Sequence, residues 1–391
     1  MSPSFRKFIV VTIPALLVAL VVSVVVIELW VRWRWDERRG TPGFYVSDPE
    51  LGQTLSPNYD GWFAGVPVRI NALGFRDARD YQLEKKPNTF RILVLGDSVT
   101  FGHGALSDTT YPFLLEQRLK QWRPDVNWEV WNLGVPGYNT TQELKYLERI
   151  GPTYRPDLVI VGFYENDLSD NDVSTDATLG RRVSSGIQRT MQRSLYSYEL
   201  YKRILLTIRW QWMSRTPDRG RIEGLAADEA LLAPPADRSG EPAQRLSEAE
   251  QFADADSFVC LSVDRNPNRD RLATHMAENN PSMAAWKRTV NELQRLNRSG
   301  TYRIGFFINM APNVCPDADR FFDGGALEDD AALRDALGKG TPVASSVRAF
   351  LPYRPSQMPG ASGHSYGNSN RVKADALFEF VTRELLPDAL R

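Results

Sequence analysis

Cysteine and histidine are scarce in this chain, and neither sign of charge dominates it. The 391 residues hold two cysteines, Cys260 and Cys315, and three histidines, His103, His275 and His364. Two cysteines cannot staple a disulfide-rich small scaffold, and no cluster has zinc-ligand spacing, so no metal and no organic cofactor is expected. A formal net charge of -1 gives no broad pull toward phosphate backbones, and no zinc-finger or RNA-binding signature accompanies it. Nucleic acid is therefore not an expected partner. No internal repeat is found, which argues against a solenoid or propeller.

What is present begins with one long apolar run. Phe8 to Ile27 carries no charge and is long enough to cross a bilayer core at 1.5 Å rise per residue. Arg6 and Lys7 precede it, and Trp30, Trp33 and Trp35 follow, interleaved with Arg32 and Arg34 like an interfacial aromatic belt. A cleaved signal peptide is the competing reading, but the run is long for one and no clear A-x-A site follows. Residues 1–39 are accordingly read as a single-pass anchor with its flanks. Counted literally, the basic residues after the span favour a cytoplasmic C-terminal domain, though long domains override that bias. Two cysteines after the span are compatible with a disulfide in an exported domain. The expectation is a periplasmic or otherwise extracytoplasmic C-terminal domain.

Residues 40–391 read as one α/β domain. A short extended preface (40–90) leads into four strand candidates at 90–96, 127–134, 157–165 and 302–310, each rich in β-branched or aromatic residues. Helical patterns lie between them: one after the cap candidates Thr109 and Thr110, one from Thr140, one at 283–300 and one at 371–386. This alternation predicts a parallel sheet with helices on both faces. Residues 170–282 break the rhythm and read as an insertion, helical, basic and aromatic at its start. Its Tyr196, Tyr198, Tyr201, Trp210 and Trp212 are read first as helix packing, with an acyl groove or sugar stacking as alternatives.

In open α/β sheets, ligands bind beyond the carboxyl ends of the strands. Ser98 follows the first strand, in GDS. Gly134-Val-Pro-Gly137-Tyr-Asn139 follows the second, and Glu165-Asn166-Asp167 the third. His364 stands before the last helix, in GHSYGN. A serine hydroxyl needs a base within reach and donors where an oxyanion forms, and these four places supply such a set. Asp97 and Asp167 are read as structural, and Gly134 as a rival oxyanion donor to Gly137.

This constellation resembles the SGNH, or GDSL-type, hydrolase family, named for a Ser, a Gly, an Asn and a His in four separated blocks. The resemblance covers roughly 85–391 without the insertion. It implies a flavodoxin-like three-layer sandwich, here preceded by a transmembrane helix. It also implies Ser98 as nucleophile, His364 as base, and an oxyanion hole of Ser98, Gly137 and Asn166. The implied reaction is ester hydrolysis on an acyl-ester substrate, with polysaccharide O-acyl groups or a lipid-like ester as candidates. Transfer of the acyl group to a sugar hydroxyl, and a non-catalytic glycan-binding role, are the alternatives.

One residue departs from the family pattern. The last block usually reads Asp-x-x-His, yet position 361 is alanine and 362 is serine. Three readings stay open: a Ser-His dyad, an acid from elsewhere such as Glu165 or the insertion, and a catalytically weak protein that chiefly binds.

Overall fold

A computed structural model describes residues 8–168, 281–315, 318–322, 326–361 and 363–390, with shorter pieces at 171, 190–191, 194–213, 243–246 and 276. Most of the insertion, with Cys260 and His275, lies outside the described residues, as does Ser362.

Five parallel strands form the central sheet: β5 (Thr89–Gly96), β6 (Asn127–Gly134), β7 (Leu158–Phe163), β8 (Ile304–Ile308) and β11 (Val343–Ser345). Their spatial order is β6-β5-β7-β8-β11, the 2-1-3-4-5 order of flavodoxin-like sheets. The strands are buried on both faces, as a parallel sheet requires. Alternate residues of β5 serve opposite layers. Ile92 and Val94 pack with Leu115 and Leu119 of α3 (Tyr111–Trp122) and with Leu377 and Phe380 of α9 (Asn368–Phe380). Leu93 and Leu95 pack with Leu147 of α4 (Thr140–Tyr154) and with Trp286 and Leu293 of α6 (Pro281–Arg298). Each such side chain contributes about 1.5–3 kcal/mol of burial. The flavodoxin-like three-layer expectation is met.

Two details differ from the sequence reading. Thr110 occupies the N-cap position of α3, but its hydroxyl donates to the Ser107 carbonyl instead of capping the helix. The preface forms two antiparallel hairpins rather than one strand-like piece: β1 (Tyr45–Asp48) with β2 (Gly52–Leu55), and β3 (Asp60–Phe63) with β4 (Val66–Arg69). Leu51, Leu55, Val66 and Phe75 join the core on the α4–α6 side.

The apolar run forms α1 (Ile13–Arg34), long and apolar enough to cross a membrane and with its apolar window unburied. Its length and apolar composition are those of a membrane anchor or a signal sequence. Glu28, near its end, accepts hydrogen bonds from the Tyr196 and Ser197 amides at 3.0 and 2.9 Å, at the start of α5 (Tyr196–Met213). Tyr196 packs edge-on against Trp35, and Tyr201 is exposed; the side chains of Trp210 and Trp212 lie outside the described residues.

Candidate active site

Three strand ends meet in one row. Gly96 pairs in register with Gly134 on one side and with Gly162 on the other. The row lets a short helix, α2 (Ser98–Phe101), sit directly on the edge of the sheet. A Cβ on Gly134 would stand 2.2 Å from the Phe101 amide nitrogen, and one on Gly162 would stand 2.4 Å from Thr100 Oγ1. Below α2, Thr100 Oγ1 bonds the Tyr111 hydroxyl at 2.8 Å, and Asn132 Nδ2 donates to the Thr100 carbonyl at 3.0 Å. The Gly134 N–H donates to Asn132 Oδ1, so Gly134 is a spacer and not a free oxyanion donor.

Asp97 caps α2, accepting from the Val99 amide at 2.8 Å. Ser98 is then the first helical residue, and its N–H has no partner among the described residues, as expected in a first turn. His364 Nε2 lies 2.8 Å from Ser98 Oγ, across 266 residues of chain. That is hydrogen-bonding distance for a nucleophile and its base.

After β6, Val135-Pro136-Gly137-Tyr138 makes a β-turn closed by the Tyr138 amide on the Val135 carbonyl at 3.0 Å. Gly137 has φ 86° at the third position, behind a proline, the arrangement of a type II turn. Its N–H has no partner among the described residues. Asn139 then opens α4 with a capping box shared with Gln142. The β1–β2 hairpin holds this turn from outside. Gln53 Nε2 donates to the Pro136 carbonyl at 3.2 Å, and the Tyr138 hydroxyl donates to the Gln53 carbonyl at 2.7 Å.

Asn166 lies on the exposed side of a 3-10 turn, Glu165–Leu168, just after β7. Its side-chain amide donates to the Asp97 carboxylate. Asp167 points inward and accepts from the Tyr164 amide at 2.7 Å. Both aspartates thus act structurally. Burial raises the Asp97 pKa, opposed by the Val99 amide, the Asn166 amide and the charge of Lys373. Burial also pushes Asp167 and Glu143 well above the usual carboxylate range, each reinforced by neighbouring acids. Lys373, wholly buried on α9, is pushed down to about 7 by the same desolvation.

Ala361, where the family pattern has its acid, is buried in an apolar cluster with Phe350, Met358 and Val372. His364 lies in the next turn and stacks against His103. Nothing in the sequence around His103 signals this contact, since the two histidines are 261 residues apart. Among the described residues no group of three His, Cys, Asp or Glu side chains could hold a metal ion.

Residues 94–252 match the GDSL-like Lipase/Acylhydrolase family, a span that holds Ser98, Gly137 and Asn166 and ends before His364. No curated protein matches the chain. Among solved structures the chain is similar to LAE5, an alpha/beta hydrolase enzyme from the metagenome of Lake Arreo, Spain. Identity there is 13% over 75% of this chain and 95% of that one, with a TM-score of 0.36. It is also similar to Axe2, an acetylxylan esterase from Geobacillus stearothermophilus. Identity is 12% over 76% of this chain and 97% of that one, with a TM-score of 0.35.

Proposed function

We propose, because residues 94–252 match the GDSL-like lipase/acylhydrolase family, that the chain is a serine esterase working through Ser98 and His364. The observation that carries the reading is the 2.8 Å contact between Ser98 Oγ and His364 Nε2. Oγ attacks the ester carbonyl while Nε2 takes the hydroxyl proton. The carbonyl oxygen becomes an oxyanion, and the imidazolium returns the proton to the departing alkoxide. Water then repeats the cycle: His364 takes its proton, its oxygen attacks the acyl-serine, and the carboxylic acid and free Ser98 are released.

Three donors suit the oxyanion. The N–H groups of Ser98 and Gly137 have no other partner among the described residues. The Asn166 side-chain amide, which donates to Asp97, carries two N–H donors and stands at the end of the neighbouring strand.

The substrate class we favour is an O-acyl ester on a carbohydrate or a lipid-like molecule. The acyl-enzyme could also be released by a sugar hydroxyl, which needs the same residues. An extracytoplasmic domain held by α1 is supported by Cys315, which is buried and disulfide-bonded, since disulfides persist in oxidising compartments.

The test is hydrolysis of short p-nitrophenyl esters by the full chain in detergent, with and without a sugar acceptor. Ser98→Ala and His364→Ala should each lower turnover by at least about 10³-fold. Asn166→Ala should lower kcat by about 10²-fold or more. Undiminished turnover in Ser98→Ala would remove the reading, and acyl-sugar formed in preference to free acid would convert it to a transferase.

A further inference from the structure

The ring of His103 lies parallel to that of the proposed base. The centroids of His103 and His364 are 4.1 Å apart and the planes differ by 18°. The local fold brings residue 103 there. Gly102 ends α2 in the left-handed region at φ 82°, and the amides of Gly102 and His103 both donate to the Ser98 carbonyl, at 3.0 and 2.9 Å. The chain thus turns back over the helix that carries Ser98. His103 is 8% exposed.

Two elements far away in sequence hold this turn. Phe63, on β3, meets the His103 ring edge-on at 5.1 Å and stacks on Phe44 at 3.9 Å. Arg76 is buried and spends its guanidinium on backbone: Nη1 donates to the Phe101 and Gly102 carbonyls at 2.6 and 2.5 Å, and Nη2 donates to Ala105. Its guanidinium also covers the Phe101 ring at 4.3 Å. A buried cation committed to three loop carbonyls fixes the segment 101–105 on which His103 rides.

We propose that His103 is a positioning residue for His364, its ring face holding the imidazole in the plane that reaches Ser98 and stabilising the imidazolium formed there. This rests on the Ser98–His364 reading above. Rotation of the His364 ring about its bond to the chain would sweep it into His103, so the stack blocks the motion that would take Nε2 away from Ser98. When Nε2 accepts the serine proton the ring becomes cationic, and an aromatic face in contact attracts that charge. The ring face does this whether or not a carboxylate also meets the histidine.

The experiment compares His103→Leu with His103→Phe in the full chain, alongside wild type, Ser98→Ala and His364→Ala. Two rates are read: p-nitrophenyl acetate turnover, and phosphonylation of Ser98 by a small fluorophosphonate, which needs no knowledge of the natural substrate. His103→Leu should lower kcat and the phosphonylation rate by roughly 10-fold, with KM changed by less than about 2-fold. His103→Phe, which keeps a ring face without imidazole nitrogens, should recover most of that loss. His103→Met, unbranched and close in volume, replaces the leucine variant if that one melts early. Equal impairment of the leucine and phenylalanine variants, or wild-type rates in a folded leucine variant, would overturn the proposal. Full activity in His364→Ala would instead remove the base itself, and the positioning claim with it.

Discussion

Asp97 sits one residue before the proposed nucleophile and works on two sides at once. It caps the helix of Ser98 and takes the amide of Asn166, so one buried carboxylate relates a strand-end serine to a donor on another strand end. The acids behind it follow a different logic. Glu143 is buried on α4 with neither carboxylate oxygen hydrogen-bonded among the described residues, and Asp167 and Asp97 are its acidic neighbours. Its folded-state pKa lies well above the ordinary glutamate value, first through burial and then through those acids. The folded form therefore holds a proton that the unfolded chain releases at lower pH. Stability from this group is fully present below the unfolded pKa and falls as pH rises toward the folded one. Glu143→Gln should thus stabilise the protein at pH 8 by on the order of 2 kcal/mol and change little at pH 4. Urea midpoints at the two pH values check this, and an equal gain at both would show that the carboxyl's ionisation is not the cause.

At the scale of elements, the strand ends organise the site, and glycine determines how closely α2 approaches them. Gly134→Ala would drive a methyl group into the Phe101 backbone, which cannot swing aside as a side chain would. A destabilisation of about 1–3 kcal/mol or more is expected, with esterase activity falling as Ser98 is displaced. A urea titration beside an activity assay tests this; an unshifted midpoint would mean α2 yields freely.

This level also separates what is legible in sequence from what is not. β5 to β8 are readable because each is a β-rich run bounded by turn residues, and the residues after them carry recognisable chemistry. The three-residue β11 is too short to carry a pattern. Gly134 reads as a donor in sequence because a glycine's lack of Cβ shows only when its neighbour is in place. The clamps of Gln53 on the Gly137 turn and of Arg76 on the 101–105 turn are equally silent. They join the preface to loops distant in sequence, through backbone carbonyls that leave no residue signature. Arg76 looks like any surface arginine until the fold buries it.

The molecule as a whole joins an apolar N-terminal helix to an α/β domain through two hairpins that also brace the site. Near the end of α1, Glu28 and Trp35 meet Tyr196 at the start of α5, and Arg32 pairs with Glu28, so the apolar helix and the insertion are joined. Position 361 lies within an apolar cluster, which explains why alanine fits where relatives are expected to carry an acid. In the proposed reaction Ser98, activated by His364, carries the acyl group. The most direct measurement is the intact mass of the full chain, quenched during turnover of p-nitrophenyl acetate and followed by peptide mapping. One acetyl group on Ser98, present in wild type and missing from Ser98→Ala and His364→Ala, is the expected result. Continued turnover with Ser98 unmodified, or with the acetyl group on another residue, would contradict it.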